Sequence, residues 1–235
     1  MVLRERESMK YKNVVQGRFL KRPNRFVAQA EIEGRECLCH VKNTGRCREL
    51  LKEGAVIYLQ ESDNPNRKTR YDLIGVEKGD LLINIDSQAP NQAVAEWLEK
   101  GNLFPKGAHI RREKKFGDSR FDVYVEAGER KAYLEVKGVT LESDGQARFP
   151  DAPTERGVKH VRELMACVRE GFEAYLIFVI QMTGARELAP NWETHPEFGQ
   201  ALQEARRAGV EILAYDCRVR PDGIALHAPV PVNLQ

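Results

Sequence analysis

The chain has 235 residues, 42% of them hydrophobic and 31% charged, with 37 Lys and Arg against 35 Asp and Glu for a net charge of +2. That balance excludes a disordered or low-complexity chain and leaves material for one large domain or two small ones, with two the expectation. The longest apolar run, residues 174–180, is far too short to span a membrane. Five cysteines at irregular spacing, with no signal peptide at the start, point to a reduced, cytoplasmic protein.

Residues 1–8 read as a polar, flexible lead-in outside the fold. From 9 to 30 there are six basic residues (Lys10, Lys12, Arg18, Lys21, Arg22 and Arg25) and no acidic ones. Short strands are expected at 14–20, 26–32, 36–41, 55–60, 71–77 and 81–85. They are separated by the turn formers Pro23-Asn24, Glu33-Gly34, Asn43-Thr44-Gly45, Asp63-Asn64-Pro65-Asn66 and Gly79-Asp80. A short helix at 46–51 interrupts them. About five strands with a helix between the third and fourth fit a small Greek-key barrel of the oligonucleotide-binding (OB) type.

The basic run, with Tyr11, Phe19 and Phe26 interleaved, suits a groove that offers cations to phosphates and flat rings to bases. Lys21, Arg22, Arg25 and Arg46 are its nucleic-acid-binding candidates, and Arg67, Lys68 and Arg70 form a second set in a loop. A solvated barrel face with core aromatics is the alternative. Cys37, Cys39, His40 and Cys47 invite a zinc reading, but alternation along a strand makes buried thiols the better expectation.

After residue 86 the rhythm changes. A helix is expected at 90–100, with Val94, Trp97 and Leu98 inward and Gly101 as its stop, followed by strands at 110–116, 119–125 and 131–136. A longer helix starts at 151–154, carries Val158, Val161, Leu164, Met165 and Val168 on one stripe and ends at Gly171. A strand at 175–180, a helix at 196–208 and a strand at 210–215 complete an α-β-β-β-α-β-α-β order. That order implies a mixed sheet with helices on each side, so the expected domains are 1–86 and 87–235.

The segments around Asp122 and Glu135 carry the chemistry. With Gly128-Glu129 as a two-residue type II′ turn, Phe121, Val123 and Val125 face Val136, Leu134 and Ala132. On the other side Tyr124 faces Tyr133, Asp122 faces Glu135 and Arg120 faces Lys137. Two carboxylates about 5 Å apart at an effective dielectric near 20 repel by roughly 3 kcal/mol, which a divalent cation would offset. Lys137 would add an amine able to position water and stabilise developing negative charge. A solvated ion-pair lattice on an exposed sheet face is the alternative.

Asp on one strand and Glu-x-Lys on the next resembles the core of the PD-(D/E)XK nuclease superfamily, although no Pro precedes Asp122. The resemblance implies that Asp122 and Glu135 hold Mg²⁺ or Mn²⁺, with no organic cofactor, and that Lys137 assists water. It also makes Glu155, Arg156 and Lys159 candidates to line the cleft, together with Arg120 and Glu96, for which Glu99 is an equal substitute.

Four motifs narrow the resemblance: His40-Val41-Lys42-Asn43-Thr44-Gly45-Arg46, Ser119-Arg120-Phe121-Asp122, Leu134 to Leu141 (LEVKGVTL), and Phe149 to His160 (FPDAPTERGVKH). Together they resemble the sugar fermentation stimulation protein A family from about residue 9 to the C-terminus. Lys42 replaces the usual Pro, and Cys47 the usual Met. The resemblance implies an N-terminal OB-like barrel, a C-terminal restriction-endonuclease-like α/β domain and DNA binding without clear sequence preference. The expected function is DNA binding with divalent-metal-dependent phosphodiester hydrolysis. The alternative is a non-catalytic DNA-binding or transcription-assisting protein on a nuclease-like platform. The expected partner is nucleic acid, DNA foremost, with no membrane and a homodimer left open.

Overall fold

The computed structural model describes residues 9–43, 45–64 and 66–235. The 1–8 lead-in, Thr44 of the Asn-Thr-Gly turn and Pro65 of the Asn-Pro turn lie outside the described residues. The chain begins with β1 (Met9–Lys10), then builds a six-stranded sheet from β2 (Val14–Asn24), β3 (Val27–Ile32), β4 (Arg35–Val41), β5 (Val56–Glu61), β6 (Tyr71–Lys78) and β7 (Leu81–Asn84). The strand order β4-β3-β2-β5-β6-β7 is closed by a parallel β4–β6 pairing, which makes the OB-like barrel.

Strand β2 serves two neighbours, pairing with β5 over residues 14–18 and with β3 over 18–24. At Gly17, where it bends between them, a Cβ would lie 2.7 Å from the Glu31 carbonyl oxygen, so only glycine permits the approach. Phe19, Ala28, Ala30, Cys39, Val41, Ile57, Leu59, Leu73 and Val76 fill the interior. The expected helix at 46–51 is instead a turn, because Cys47 takes φ +46° and the amides of Leu50 and Leu51 both donate to its carbonyl.

The second unit contains α1 (Ala89–Glu99), β8 (His109–Phe116), β9 (Ser119–Ala127), β10 (Arg130–Val139), β11 (Glu142–Ser143), β12 (Gln146–Phe149) and α2 (Glu155–Arg169). It continues through β13 (Glu173–Ile180), β14 (Glu187–Pro190), α3 (Pro196–Arg207), β15 (Glu211–Arg220) and β16 (Gly223–Pro229). The large sheet runs β1-β16-β15-β13-β10-β9-β8, with β13 parallel to both β10 and β15 and the remaining pairs antiparallel. Those two parallel pairings need crossovers, which α2 and α3 supply. Strand β13 is buried along nearly its whole length, as its unbroken apolar sequence requires.

Helix α1 covers one face of the sheet with Val94 and Leu98 against Val123, Leu134 and Ile177. Helices α2 and α3 cover the other with Leu164, Phe198 and Leu202 against Phe178 and Ile180. Thr154 caps α2 by accepting from the Gly157 amide at 3.0 Å.

The sequence pattern did not disclose β11, β12, β14 or β16, nor the pairing of Met9–Lys10 with β16. These strands are short or end at proline, so they lack a readable alternation. The two units are joined by a buried amide bridge. The Asn84 amide donates to the Gln181 carbonyl at 2.9 Å, and Gln181 Nε2 donates to Asn84 Oδ1 at 2.9 Å and to the Asp86 carbonyl at 3.1 Å. This seats the barrel against the end of β10 that carries Glu135 and Lys137.

Candidate functional site

The β9–β10 hairpin has the expected register at its turn: Ala127 pairs with Arg130, Val125 with Ala132, Tyr124 with Tyr133 and Val123 with Leu134. Gly128 takes φ +64°, which the first central position of the turn needs. Beyond Leu134 the pairing stops. Strand β10 continues against β13 to Val139, while β9 continues against β8, so the two strands diverge where Asp122 and Glu135 were expected to face each other.

The Asp122 carboxylate fills the gap, accepting from the Val136 amide at 2.8 Å and from Asn91 Nδ2 of α1 at 2.7 Å. A side chain thus takes the place of a ladder carbonyl. The divergence also moves Phe121. Instead of joining Val123 and Val125, it packs against Tyr133 and the His160 ring at 5.5 and 6.2 Å on the α2 side. Opposite Asp122, Glu113 takes φ +55°, which marks the same distortion on β8.

Glu135 is 3% exposed. Its Oε1 accepts from Lys137 Nζ at 2.5 Å and contacts His160 Nδ1, whereas its Oε2 is buried with no hydrogen-bond partner among the described residues. Arg156 Nε donates to His160 Nε2 at 3.3 Å, so Nε2 must carry the lone pair and Nδ1 the proton it gives to Glu135. Arg156, His160, Glu135 and Lys137 form one chain of polar contacts.

Burial works against the charge on both carboxylates. For Glu135 the His160 and Lys137 contacts outweigh it and hold the group below the ordinary range. For Asp122 burial and then the Glu135 charge push the group up, only partly countered by the Val136 amide, Lys137 and Asn91. The two acids are therefore electrostatically coupled. A buried acceptor left open beside a second carboxylate is an energetic defect for an isolated chain and a natural place for a cation. Among the described residues, no three or more His, Cys, Asp or Glu side chains converge as a metal set. Any cation here would take two protein carboxylates, a donor number that suits Mg²⁺ with water and phosphate completing its shell.

The other candidates scatter. Glu96 accepts from Gln92 within α1 at 3.0 Å, and Asn91, rather than Glu96 or Glu99, is the α1 side chain that touches Asp122. Arg120 is exposed and lies 3.3 Å from Glu113. Arg156 reaches the site through His160, whereas Lys159 points to Glu163 at 3.7 Å and the exposed Glu155 lies 3.4 Å from His195.

In the barrel, Arg22 donates to the carbonyls of Arg25, Asn43, Gly45 and Arg46 at 2.7–2.9 Å and so clamps the turn. Arg67 grips Asp72 through two bonds of 2.9 and 2.6 Å, and Arg70 pairs with Glu61 at 2.5 Å. Lys21, Arg46 and Lys68 are exposed, and Arg25 lies over the exposed Phe26 ring at 4.7 Å. Cys39 and Cys47 are buried free thiols, and His40 turns to Asp72 at 3.1 Å. Asn91 and His160 were not selected from the sequence. His160 closes the FPDAPTERGVKH motif, which was the available signal, while nothing local marks Asn91.

A closed OB-like barrel joined to a mixed α/β sheet with an Asp, Glu-x-Lys cluster at a strand divergence defines a nuclease-like platform of the restriction-endonuclease class. Residues 88–223 match the family model described as the sugar fermentation stimulation protein RE domain, and residues 20–85 match the SfsA N-terminal OB domain. The chain belongs to the sugar fermentation stimulation protein family. It is 58% identical to the sugar fermentation stimulation protein homolog of Desulfitobacterium hafniense (strain Y51), covering 96% of this chain and 99% of that one. It is 55% identical to the homolog of Clostridium beijerinckii, over 96% and 100% of the two chains. The structure of Pyrococcus furiosus SfsA in complex with Ca²⁺ superimposes with a TM-score of 0.85 at 28% identity, over 97% of this chain and 99% of that one.

Proposed function

We propose that the chain binds nucleic acid, DNA foremost, and holds a divalent cation at Asp122 and Glu135 beside the bound backbone. The observation that carries this reading is the buried Oε2 of Glu135, which has no partner among the described residues and belongs to a carboxylate coupled electrostatically to Asp122. The surroundings suit a polyanion. Edge strand β8 presents exposed Arg111, Arg112 and Lys115 next to Arg120, and β8 lies against the strand that bears Asp122. On the barrel, Lys21, Arg25, Arg46 and Lys68 extend the cationic surface, whereas Arg22, Arg67 and Arg70 hold the loops that display them. The bound cation would neutralise charge on a phosphate oxygen and on water. The relative's Ca²⁺ complex supports a site for such an ion in the family.

Binding should be read by fluorescence anisotropy with single- and double-stranded DNA and RNA at several salt concentrations. Affinity that falls steeply with salt, and falls further in Arg112→Glu with Lys115→Glu, is expected. Salt-insensitive binding, or binding indifferent to that charge reversal, would contradict the reading.

Phosphodiester hydrolysis is the second reading, and the Lys137 amine on Glu135 favours it. In that case Glu135, itself held by His160, keeps Lys137 in place, and Lys137 orients water or stabilises the departing oxyanion. Incubation with Mg²⁺, Mn²⁺ or EDTA, compared with Asp122→Ala, decides it. Products that require metal and Asp122 support hydrolysis, and their absence leaves binding as the function.

A further inference from the structure

Each acid of the cluster is held from a different helix. Asp122 has one donor on each oxygen, Asn91 of α1 on Oδ1 and the Val136 amide on Oδ2. Glu135 instead receives both of its donors, Lys137 and His160 of α2, on Oε1. Of the oxygens of the pair, Glu135 Oε2 is therefore the one with no donor among the described residues. The terminal torsion of a glutamate side chain is soft, so an unrestrained carboxylate would offer either oxygen, or both, to a cation. Donors confined to one oxygen take that freedom away.

The two donors are not equivalent. Lys137 lies two residues along β10 on the same face, and its amine rides on a flexible four-carbon stem. The His160 ring is rigid and held from several sides. Val158, Val161 and Leu164 anchor α2 in the core around it, Phe121 meets the ring edge to face with centroids 6.2 Å apart, and Arg156, one turn back, donates to Nε2 at 3.3 Å. That last bond leaves the ring proton on Nδ1, where Glu135 accepts it. With side chains only 7% and 4% exposed, His160 and Glu135 meet where little water competes for either.

We propose that His160 is a positioning residue that fixes Glu135 so that this carboxylate meets a cation through Oε2 alone. The role rests on the reading of Asp122 and Glu135 as a cation site, and it gives that site a selectivity. A carboxylate that offers a single oxygen suits a small octahedral ion such as Mg²⁺ or Mn²⁺, whereas Ca²⁺ gathers roughly six to eight oxygens and often takes both from one carboxylate. Freeing Glu135 to turn therefore costs the small ions more than it costs Ca²⁺. Outer partners of this kind are worth roughly ten- to a hundredfold in metal affinity.

Calorimetric titration of Mn²⁺ and of Ca²⁺ into the metal-stripped full chain tests the role. His160→Leu removes the donor, and His160→Asn carries a side-chain amide that can donate from near the position of Nδ1. His160→Leu should bind Mn²⁺ about tenfold more weakly or worse, with a smaller loss for Ca²⁺, so that the preference for Mn²⁺ narrows. His160→Asn should recover most of the Mn²⁺ affinity even where its metal-free melting temperature stays below that of wild type, which a purely structural role would not allow. Should His160→Leu not fold, His160→Gln, with its amide nearer the Nε2 position, carries the same expected loss. Wild-type affinity for Mn²⁺ without the His160 donor, or a loss that Asn does not restore, would overturn the positioning role while Glu135→Gln still abolishes binding. Equal losses of Mn²⁺ and Ca²⁺ would overturn the one-oxygen contact. Wild type that binds no Mn²⁺, or Glu135→Gln that binds it as wild type does, would remove the cation site itself and this role with it.

Discussion

Asp72 in the barrel and Glu135 in the large sheet are both carboxylates withdrawn from water, and the protein treats them differently. Asp72 has both oxygens filled, Oδ1 by Arg67 and His40 and Oδ2 by Arg67 again. Burial opposes its charge, but the Arg67 bonds and then His40 outweigh that and hold it below the ordinary range. Glu135 has two donors on one oxygen and, among the described residues, none on the other, and a second acid nearby whose own charge it raises in cost. The first arrangement is complete as it stands and stabilises the fold. The second is complete only with something added, and incompleteness of that kind is what a binding site looks like before its ligand arrives.

Removing the clamp should produce the largest effect. Arg67→Ala strands a largely buried Asp72 and should cost about 2–3 kcal/mol of unfolding free energy, measured by urea titration. A loss below about 0.5 kcal/mol would place Asp72 among ordinary surface pairs.

The acid limb comes next. Because the folded Asp72 carboxyl is held low, its contribution is fully present above the unfolded value of about 3.9 and is lost as pH falls through its folded value. Wild type should lose stability more steeply than Asp72→Asn below about pH 4, and parallel curves would contradict the pairing.

Asp122 has the opposite sign. Its raised folded value means that stability is lost as pH rises through that value, so Asp122→Asn should match wild type in acid and exceed it at neutral pH in EDTA, read as the midpoint of urea unfolding. A destabilised Asp122→Asn at neutral pH would show that the acid is structural like Asp72.

Much of this contrast was legible in the chain and part was not. Alternation fixed the hairpin as far as Val123 and Leu134, because a slip there would expose one apolar set. The same alternation misplaced Phe121 and set Asp122 directly against Glu135, since period two assumes that strands stay paired. They diverge beyond Leu134, where β10 keeps its pairing with β13 and β9 its pairing with β8, and the Asp122 side chain satisfies the Val136 amide in place of backbone. Arg22 and Arg67 looked like phosphate ligands because sequence shows charge without its neighbours. The carbonyls of Arg25 and of the turn at Asn43, Gly45 and Arg46 occupy Arg22, and the Asp72 carboxylate five residues on occupies Arg67. His160 and Asn91 reach the site through helix packing; the motif that His160 closes was the one local sign of it, and nothing local marks Asn91.

The most direct test is calorimetric titration of Mn²⁺ into wild type, Asp122→Asn, Glu135→Gln and Asp72→Asn. The account predicts a single site per chain in wild type, weakened roughly tenfold or more by either substitution at the divergent strands and untouched in Asp72→Asn, with the bound ion raising the melting temperature. No binding to wild type at millimolar Mn²⁺, or equal binding by Glu135→Gln, would contradict it.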